Sequence, residues 1–272
     1  MIHDQLFDVT DSFLPFTCEE KLHGWNLFYQ TVKMLPQAHG TTLYVSDDYR
    51  VVREENGIVF RYIDRDTYTE YAISRINYLG RFVEIQYLSD SLQYFGQTNN
   101  CLFHSQWERI MIEENRVLFH ASCIATQYGG ILFSGRSGIG KSTQSELWIQ
   151  KEGAKLINGD RPILGKENDT WCAYGSPYAG SSKCHLNECV PIRCIVMLGR
   201  GKRNILRRLS LGDAFRNVYK NLTVNTWDEV FISKVLESIS DLIAEIPVYE
   251  YSCLPEFSAV EELKNELERS GK

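Results

Sequence analysis

Between positions 135 and 143 the chain reads Gly-Arg-Ser-Gly-Ile-Gly-Lys-Ser-Thr. This spacing of glycines, a lysine and hydroxyls suits one kind of chemistry, the holding of a chain of phosphates. Gly135, Gly138 and Gly140 let the backbone bend so that successive N–H groups converge on an anion. Lys141 is placed to reach the terminal phosphates and Ser142 to ligate magnesium, with Arg136, Ser137, Ile139 and Thr143 completing the nucleotide-binding set. The expected partner is a nucleoside triphosphate, with Mg2+ and with the choice of base left open, since the loop reads phosphates alone.

Such a loop works only between a strand and a helix, and the flanking residues supply both. Residues 131–133 are an apolar run; residues 144–150 form a good helix pattern with Gly153 as its stop. A strand over 117–125 is joined to the 131–134 strand by Thr-Gln-Tyr-Gly-Gly, a hairpin connection. Folding that hairpin about position 128 sets His120 roughly opposite Arg136, at the mouth of the loop. A histidine on a strand is more often structural than catalytic, and this placement is what makes His120 a site candidate. After the helix, residues 155–158 form an apolar strand that runs into Gly159, Asp160 and Pro162. A carboxylate there, next to a phosphate loop, could hold the metal or accept a proton from an attacking hydroxyl. It could also be a turn aspartate before a proline.

Residues 175–187 are rich in small side chains, with Tyr178 in their midst and Lys183 and His185 near the end. The stretch reads equally as a substrate-lining loop and as a long strand connection. Arg200, Lys202, Arg203, Arg207 and Arg208 read as a solvated hairpin tip rather than a binding patch. Eight cysteines are scattered without a C-x-x-C pair. Cys184, His185, Cys189 and Cys194 sit at the edge of zinc-ligand spacing, but Cys194 heads a strand-like run, and reduced, buried thiols are the default expectation.

The first hundred residues look β-rich, with strands expected at 42–45, 51–54, 58–63, 68–73 and 82–87 and an Asn56-Gly57 turn between the second and third. They suggest an antiparallel sheet, followed by a helix over 105–115. The expected organisation is a β-rich region over 1–100 and a phosphate-loop domain over 101–272, of mixed α/β (α+β) class. Later strands are expected at 162–165, 171–174, 194–198 and 248–254, and helices at 211–220, 227–246 and 256–269. A net charge of −6 argues against broad affinity for nucleic acid or an anionic membrane, so any anion site must be local. The acidic N-terminus is unlike a secretory signal and no apolar run approaches the ~20 residues that span a bilayer, so a cytoplasmic protein is expected.

The motifs "LFHAS" at 118–122, "ILFSGRSGIGKST" at 131–143, "INGDRP" at 157–162 and "YGSPYAG" at 174–180 together resemble the catalytic domain of HPr kinase/phosphorylase and its uncharacterised relatives. That family shares a nucleotide-binding core, built on a mixed sheet, with phosphoenolpyruvate carboxykinase. The resemblance runs from about residue 118 to 206 and more loosely to the C-terminus. The N-terminal hundred residues are more similar to the β-rich lead-in of those relatives than to the HPr kinase N-terminal domain. The resemblance implies an ATP- and magnesium-dependent phosphotransferase, with Lys141 and the loop amides on the phosphates and Ser142 and Asp160 serving the metal. It also implies that His120 and Asp160 sit where a hydroxyl acceptor is activated, on a peptide, a protein or a small molecule. Two departures stand out. The bifunctional enzymes carry paired aspartates where this chain has Gly159 and Asp160, and no counterpart of the phosphorolysis segment is found, which points to a kinase without the reverse activity. The missing carboxylate also keeps open a regulatory nucleotide-binding protein with little catalysis.

Overall fold

The computed structural model describes residues 11–17, 24–55, 57–94, 97–178, 180–184 and 186–270. The chain divides into two compact units, Met1–Ile110 and Met111–Lys272.

The first unit is built on six strands, β1 (Asn26–Val32), β2 (Thr41–Val45), β3 (Tyr49–Glu54), β4 (Gly57–Ile63), β5 (Glu70–Asn77) and β6 (Phe82–Leu88), in the order β1-β6-β5-β4-β3-β2. β2 to β6 form an antiparallel meander, and β3 meets β4 with Glu54 opposite Gly57. Asn56, the other residue of the expected turn, lies outside the described residues. The sheet departs from the expected antiparallel one because β1 runs parallel to β6. β1 itself was not expected; its central Tyr29 is its one buried residue, so it has little apolar periodicity to read.

A single helix over 105–115 was also expected, yet two short ones form, α1 (Thr98–His104) and α2 (Trp107–Glu113). Gln106 takes φ 57° between them, a value that ends a right-handed helix. Its amide is held by the Tyr62 hydroxyl and by Ser74 Oγ at 3.2 Å, so tertiary hydrogen bonding overrides local helical pattern. Beneath the helices, His104 is fully buried, its Nδ1 2.5 Å from the Tyr87 hydroxyl and its Nε2 2.9 Å from that of Tyr71. A neutral imidazole has one donor and one acceptor nitrogen, so one tyrosine donates and the other accepts.

The second unit contains β7 (Arg116–Leu118), β8 (Ala121–Thr126), β9 (Gly129–Ser134), α3 (Lys141–Glu152), β10 (Lys155–Asn158), β11 (Ile163–Glu167), β12 (Thr170–Tyr174), β13 (Cys189–Arg200), β14 (Ile205–Arg208), α4 (Leu211–Tyr219), α5 (Glu229–Glu245), β15 (Val248–Cys253) and α6 (Phe257–Arg269). Seven strands follow the order β10-β8-β9-β13-β12-β11-β7. β13 is long enough to pair with β12 through its first residues and with β15 through its last, and β14 pairs with β15. The sheet is mixed: β9 and β15 both run parallel to β13, while β8 and β10 are antiparallel neighbours.

Both faces of this sheet are covered, which is why β9 and β13 read as unbroken apolar runs rather than alternating ones. Leu132, Ile195 and Met197 pack with Ala214 and Val218 of α4 and Phe231, Val235 and Ile239 of α5. Ile131, Phe133, Val196 and Leu198 pack on the other face with Trp148 of α3 and Val260 and Leu263 of α6. The period-2 alternation of β9 thus sends successive side chains into two cores. α3 ends at Gly153, whose φ of 65° and N–H to Ile149 O close the helix as the sequence suggests.

Two expectations are corrected in this unit. The strand expected over 117–125 splits into β7 and β8, because β7 pairs with β11 whereas β8 pairs with β9 and β10. The basic residues 200–208 are not a hairpin tip: Arg200 closes β13, and Arg207 and Arg208 belong to β14, which pairs with β15 instead of folding back on β13. Cys194 is fully buried in β13 while Cys189 is exposed at its start; His185 lies outside the described residues. No group of three metal-ligating side chains occurs among the described residues, and none of their helices is long and apolar enough to cross a membrane.

Candidate functional site

The glycine loop lies between the carboxyl end of β9 and the first turn of α3, beside the carboxyl end of the parallel strand β13. This is the end of a parallel sheet at which α/β proteins bind ligands. Gly135, Gly138 and Gly140 take φ values of 138°, 71° and 118°. At Gly135 a side chain is strained by the backbone conformation and also crowded, since a Cβ would stand 3.2 Å from Leu198 O and 3.3 Å from the Ile139 side chain. Lys141 folds back across the loop and donates from Nζ to Gly135 O at 3.3 Å. Its ammonium is half-buried, and that burial pulls its pKa down, opposed by the charge of Asp160. Ser142 and Thr143, at the start of α3, are exposed.

His120 arrives from the break between β7 and β8. The hairpin closes through Gln127 and Tyr128, with Thr126 opposite Gly129 and Ala121 opposite Ser134, so the register extends to set His120 across from Gly135, one residue from the expected Arg136. Three hydrogen bonds fix this segment in place: His120 N–H donates to Asn221 O at 2.9 Å, its carbonyl accepts from the Ser134 hydroxyl at 2.7 Å, and the neighbouring Ala121 N–H donates to Asp160 O at 2.9 Å. The last of these ties the strand to the acidic segment. Imidazole Nε2 lies 3.6 Å from Asp160 Oδ1. Burial first, and then the Lys141 charge, hold the His120 pKa below its ordinary value against the pull of Asp160, so the ring is neutral at pH 7.

Asp160 is set by a buried asparagine that the sequence reading passed over. Asn158 is fully buried at the end of β10; its Oδ1 accepts from the backbone N–H groups of Asp160 at 3.0 Å and Arg161 at 2.8 Å. Its Nδ2 donates to the carbonyls of Ser176 at 3.1 Å and Tyr178 at 2.8 Å. One side chain therefore forms the turn that presents Asp160 and pins the 175–178 segment under it. The signal was in the sequence: asparagine two residues before an aspartate, at a strand end and before proline, is an Asx-turn pattern. Gly180, at φ 55°, packs against the carboxylate so closely that a Cβ would stand 2.8 Å from Asp160 Cβ.

Arg161 extends beside Asp160, with Nε 3.9 Å from Oδ2, NH1 donating to Thr223 Oγ1 at 2.8 Å and the guanidinium 5.5 Å from the Tyr178 ring centroid. These parts enclose a cleft of about 410 Å3 lined by His120, Ser137, Gly138, Gly140, Lys141, Ser142, Thr143, Gly159 and Asp160. Gly135, Arg136 and Ile139 are in the loop but do not line this cleft. Of the three residues suggested for an acceptor site, Tyr178 is buried beneath Arg161 and Lys183 is exposed, neither lining the cleft, and His185 lies outside the described residues. The side-chain oxygens on the cleft are the Ser137, Ser142 and Thr143 hydroxyls and the Asp160 carboxylate. Mg2+ commonly takes one or two protein oxygens and completes its shell with water and substrate phosphates, and this donor set fits it.

The architecture defines a mixed α/β protein with a strand, glycine loop and helix at the carboxyl ends of its parallel strands. No family model matches the chain, and no curated protein matches it. Among solved structures it is similar to the HPr(Ser) kinase/phosphatase from Coxiella burnetii, at 13% identity and a TM-score of 0.34, over 57% of this chain and 94% of that one. A TM-score of that size marks a poor overall superposition, and it is the residues of the cleft that speak for function.

Proposed function

We propose that the second unit is an ATP- and magnesium-dependent kinase that transfers the terminal phosphoryl group to a hydroxyl of a peptide, a protein or a small molecule. The observation that carries this reading is the gathering, in one cleft, of Gly138 and Gly140 of the loop with Lys141, Ser142, His120 and Asp160. Phosphoryl transfer asks little covalent chemistry of a protein; it asks for charge neutralisation, alignment and a group to take a proton. In this reading the loop amides and Lys141 hold the β- and γ-phosphates, and Ser142 and Asp160 hold the ion. Mg2+, when bound, supplies Lewis-acid neutralisation of the charge that develops on the phosphate oxygens.

The acceptor hydroxyl oxygen forms a bond to the γ-phosphorus as the bond from phosphorus to the β,γ-bridging oxygen breaks, and ADP departs. The hydroxyl proton passes to the carboxylate of Asp160, beside which the neutral His120 is the second group able to accept it. Gly159 leaves one carboxylate where the resemblance expects two, so Asp160 combines orientation of the acceptor with service to the metal. Phosphorylase activity is not expected.

The test is transfer of label from γ-labelled ATP to serine, peptides and cell extract, preceded by calorimetric titration with ATP, ADP and a non-hydrolysable analogue with and without magnesium. Magnesium-dependent binding that Lys141→Ala abolishes, followed by a labelled acceptor, supports a kinase. Gly159 favours a second reading, a nucleotide-responsive regulatory protein, and its mark would be nucleotide bound and released intact.

A further inference from the structure

Arg161 is held at both ends although more than a third of its side chain is exposed. Its backbone N–H donates to Asn158 Oδ1 at 2.8 Å and its carbonyl accepts from Ser176 Oγ at 2.5 Å. At the far end NH1 donates to Thr223 Oγ1 at 2.8 Å, and the guanidinium lies 5.5 Å from the Tyr178 ring centroid. The ion pair with Asp160 does not account for this restraint. Nε stands 3.9 Å from Oδ2, beyond hydrogen-bond reach, with the two side chains 37% and 25% exposed, and such a pair contributes little to stability. Nε and NH2 have no hydrogen-bond partner among the described residues. The guanidinium is thus anchored by one corner, while the edge formed by its other two nitrogens stays open beside the Asp160 carboxylate.

We propose that this open edge binds a carboxylate of the phosphoryl acceptor, so that the acceptor is a hydroxy acid, or a polypeptide whose reacting hydroxyl lies close to a carboxylate. The proposal rests on the kinase reading given above and names its class of substrate. Two N–H groups in one plane match the two oxygens of a carboxylate, and a guanidinium already fixed by other contacts loses little freedom on binding. The spacing suits a compact acceptor. Asp160 is where the acceptor hydroxyl gives up its proton, and Arg161 Nε is 3.9 Å from that carboxylate, so hydroxyl and anion are separated by the span of one small molecule or of neighbouring side chains.

The charges in and beside the cleft agree with this. An anionic acceptor must approach both a triphosphate and Asp160, which repel it. Against them stand Lys141 and Arg161, and Gly159, which lines the cleft beside Asp160, adds no second carboxylate. The Arg161 charge reaches inward, since it is among the causes that hold the pKa values of His120 and Lys141 below their ordinary ranges. Its hydrogen bonds and ring contact are to Asn158, Ser176, Thr223 and Tyr178, none of them in the 135–143 loop. That places it on the acceptor's side of Asp160 rather than on the nucleotide's. A carboxylate fits this edge better than a phosphate, whose second charge a single guanidinium, partly offset by Asp160, would not balance.

The test begins with γ-labelled ATP and magnesium added to two fractions of a cell extract, small molecules and polypeptides, which separates a free acid from a protein carboxylate. The labelled acceptor is purified and compared with its amidated form, in which the carboxylates are neutral. With wild type, amidation should raise the acceptor KM at least tenfold. With Arg161→Gln the acceptor KM should rise likewise, and amidation should then make less than a twofold further difference. ATP affinity by calorimetry should stay within twofold of wild type, which reports a folded cleft. Arg161→Lys keeps the charge without the planar edge and should fall between the two; it decides by the same readings where Arg161→Gln does not fold. A labelled acceptor without a carboxylate, an acceptor KM unchanged in Arg161→Gln, or a loss confined to kcat overturns the assignment and leaves the kinase standing. If ATP binds and neither fraction is labelled, the kinase reading itself falls, and this proposal with it.

Discussion

The side-chain carbonyl of Asn158 accepts the backbone N–H of Asp160 at 3.0 Å, while its amide donates to Tyr178 O at 2.8 Å. A neutral, buried residue thereby sets the direction of the charged one that faces the cleft. Asn158→Ala removes both contacts and strands the backbone groups that they satisfied, so a stability loss of about 1–3 kcal/mol is expected. Because the loop glycines and Lys141 stay in place, phosphoryl transfer should fall at least tenfold with ATP affinity nearly unchanged. Equal losses in kcat and in ATP affinity would argue against a positioning role.

Asp160 carries the largest expected effect on the chemical step. Asp160→Asn keeps the shape and the accepting carbonyl but removes the charge and the proton acceptor. General-base contributions are typically 10^2 to 10^4 in rate, so a loss in that range is expected in single-turnover transfer from labelled ATP. A variant that transfers at the wild-type rate would falsify the assignment.

The pH dependence follows from His120. Its pKa is depressed by burial and by Lys141, so the ring is protonated only below its ordinary 6.5, and an imidazolium beside Asp160 would compete with the acceptor for that carboxylate. Transfer should rise with pH through a midpoint below 6.5 and level off by neutrality. His120→Asn has no proton to lose there, and in this variant the acidic limb of kcat/KM should flatten or move.

The glycine loop, its flanking strand and helix, and the single helix and strand that separate Lys141 from Asp160 were legible because each is local: glycine at positive φ, an apolar run, a helix stop. The hairpin register came out one residue off, since turn length decides it and Thr126 to Gly129 admits more than one closure. Less legible were features set by distant partners. Asn158 reads as an ordinary polar residue until Ser176 and Tyr178 arrive to accept its amide, and the single helix expected over 105–115 is broken by bonds from Gln106 to Tyr62 and Ser74. β1 joins β6 in parallel, a pairing for which no neighbouring turn gives notice.

His104, in the first unit, gives a prediction about stability rather than catalysis. Burial pulls its pKa down from 6.5 to about 3, so the unfolded chain binds a proton that the folded one refuses between those values. Stability from this group is therefore complete above about 6.5 and declines as pH falls, levelling off near 3. At roughly 1.4 kcal/mol per pH unit, the loss amounts to a few kcal/mol. Denaturant melts of the wild type at pH 7 and 5 should differ by more than those of His104→Gln, which does not titrate; parallel shifts would show that other groups carry the acid sensitivity.

Gly180 and Gly153 separate backbone strain from pressure on the site. Both take similar left-handed conformations, with φ 55° and 65°, so replacement by alanine strains the backbone comparably, at about 1 kcal/mol. Their surroundings differ: a Cβ at Gly153 meets nothing within 4 Å, whereas one at Gly180 stands 2.8 Å from Asp160 Cβ and 3.1 Å from its Cγ. Gly153→Ala should lower the melting temperature by a few degrees and leave transfer within twofold of wild type. Gly180→Ala should lose more thermal stability than that, since the clash adds to the backbone strain, and in addition slow transfer tenfold or more, because the carboxylate must move or the 180–182 turn must withdraw from it. Calorimetric binding of ATP to Gly180→Ala should stay close to wild type, since the added methyl does not touch the loop. Similar activities in the two variants would mean that the turn yields instead of Asp160, and that the carboxylate's position is held by Asn158 alone.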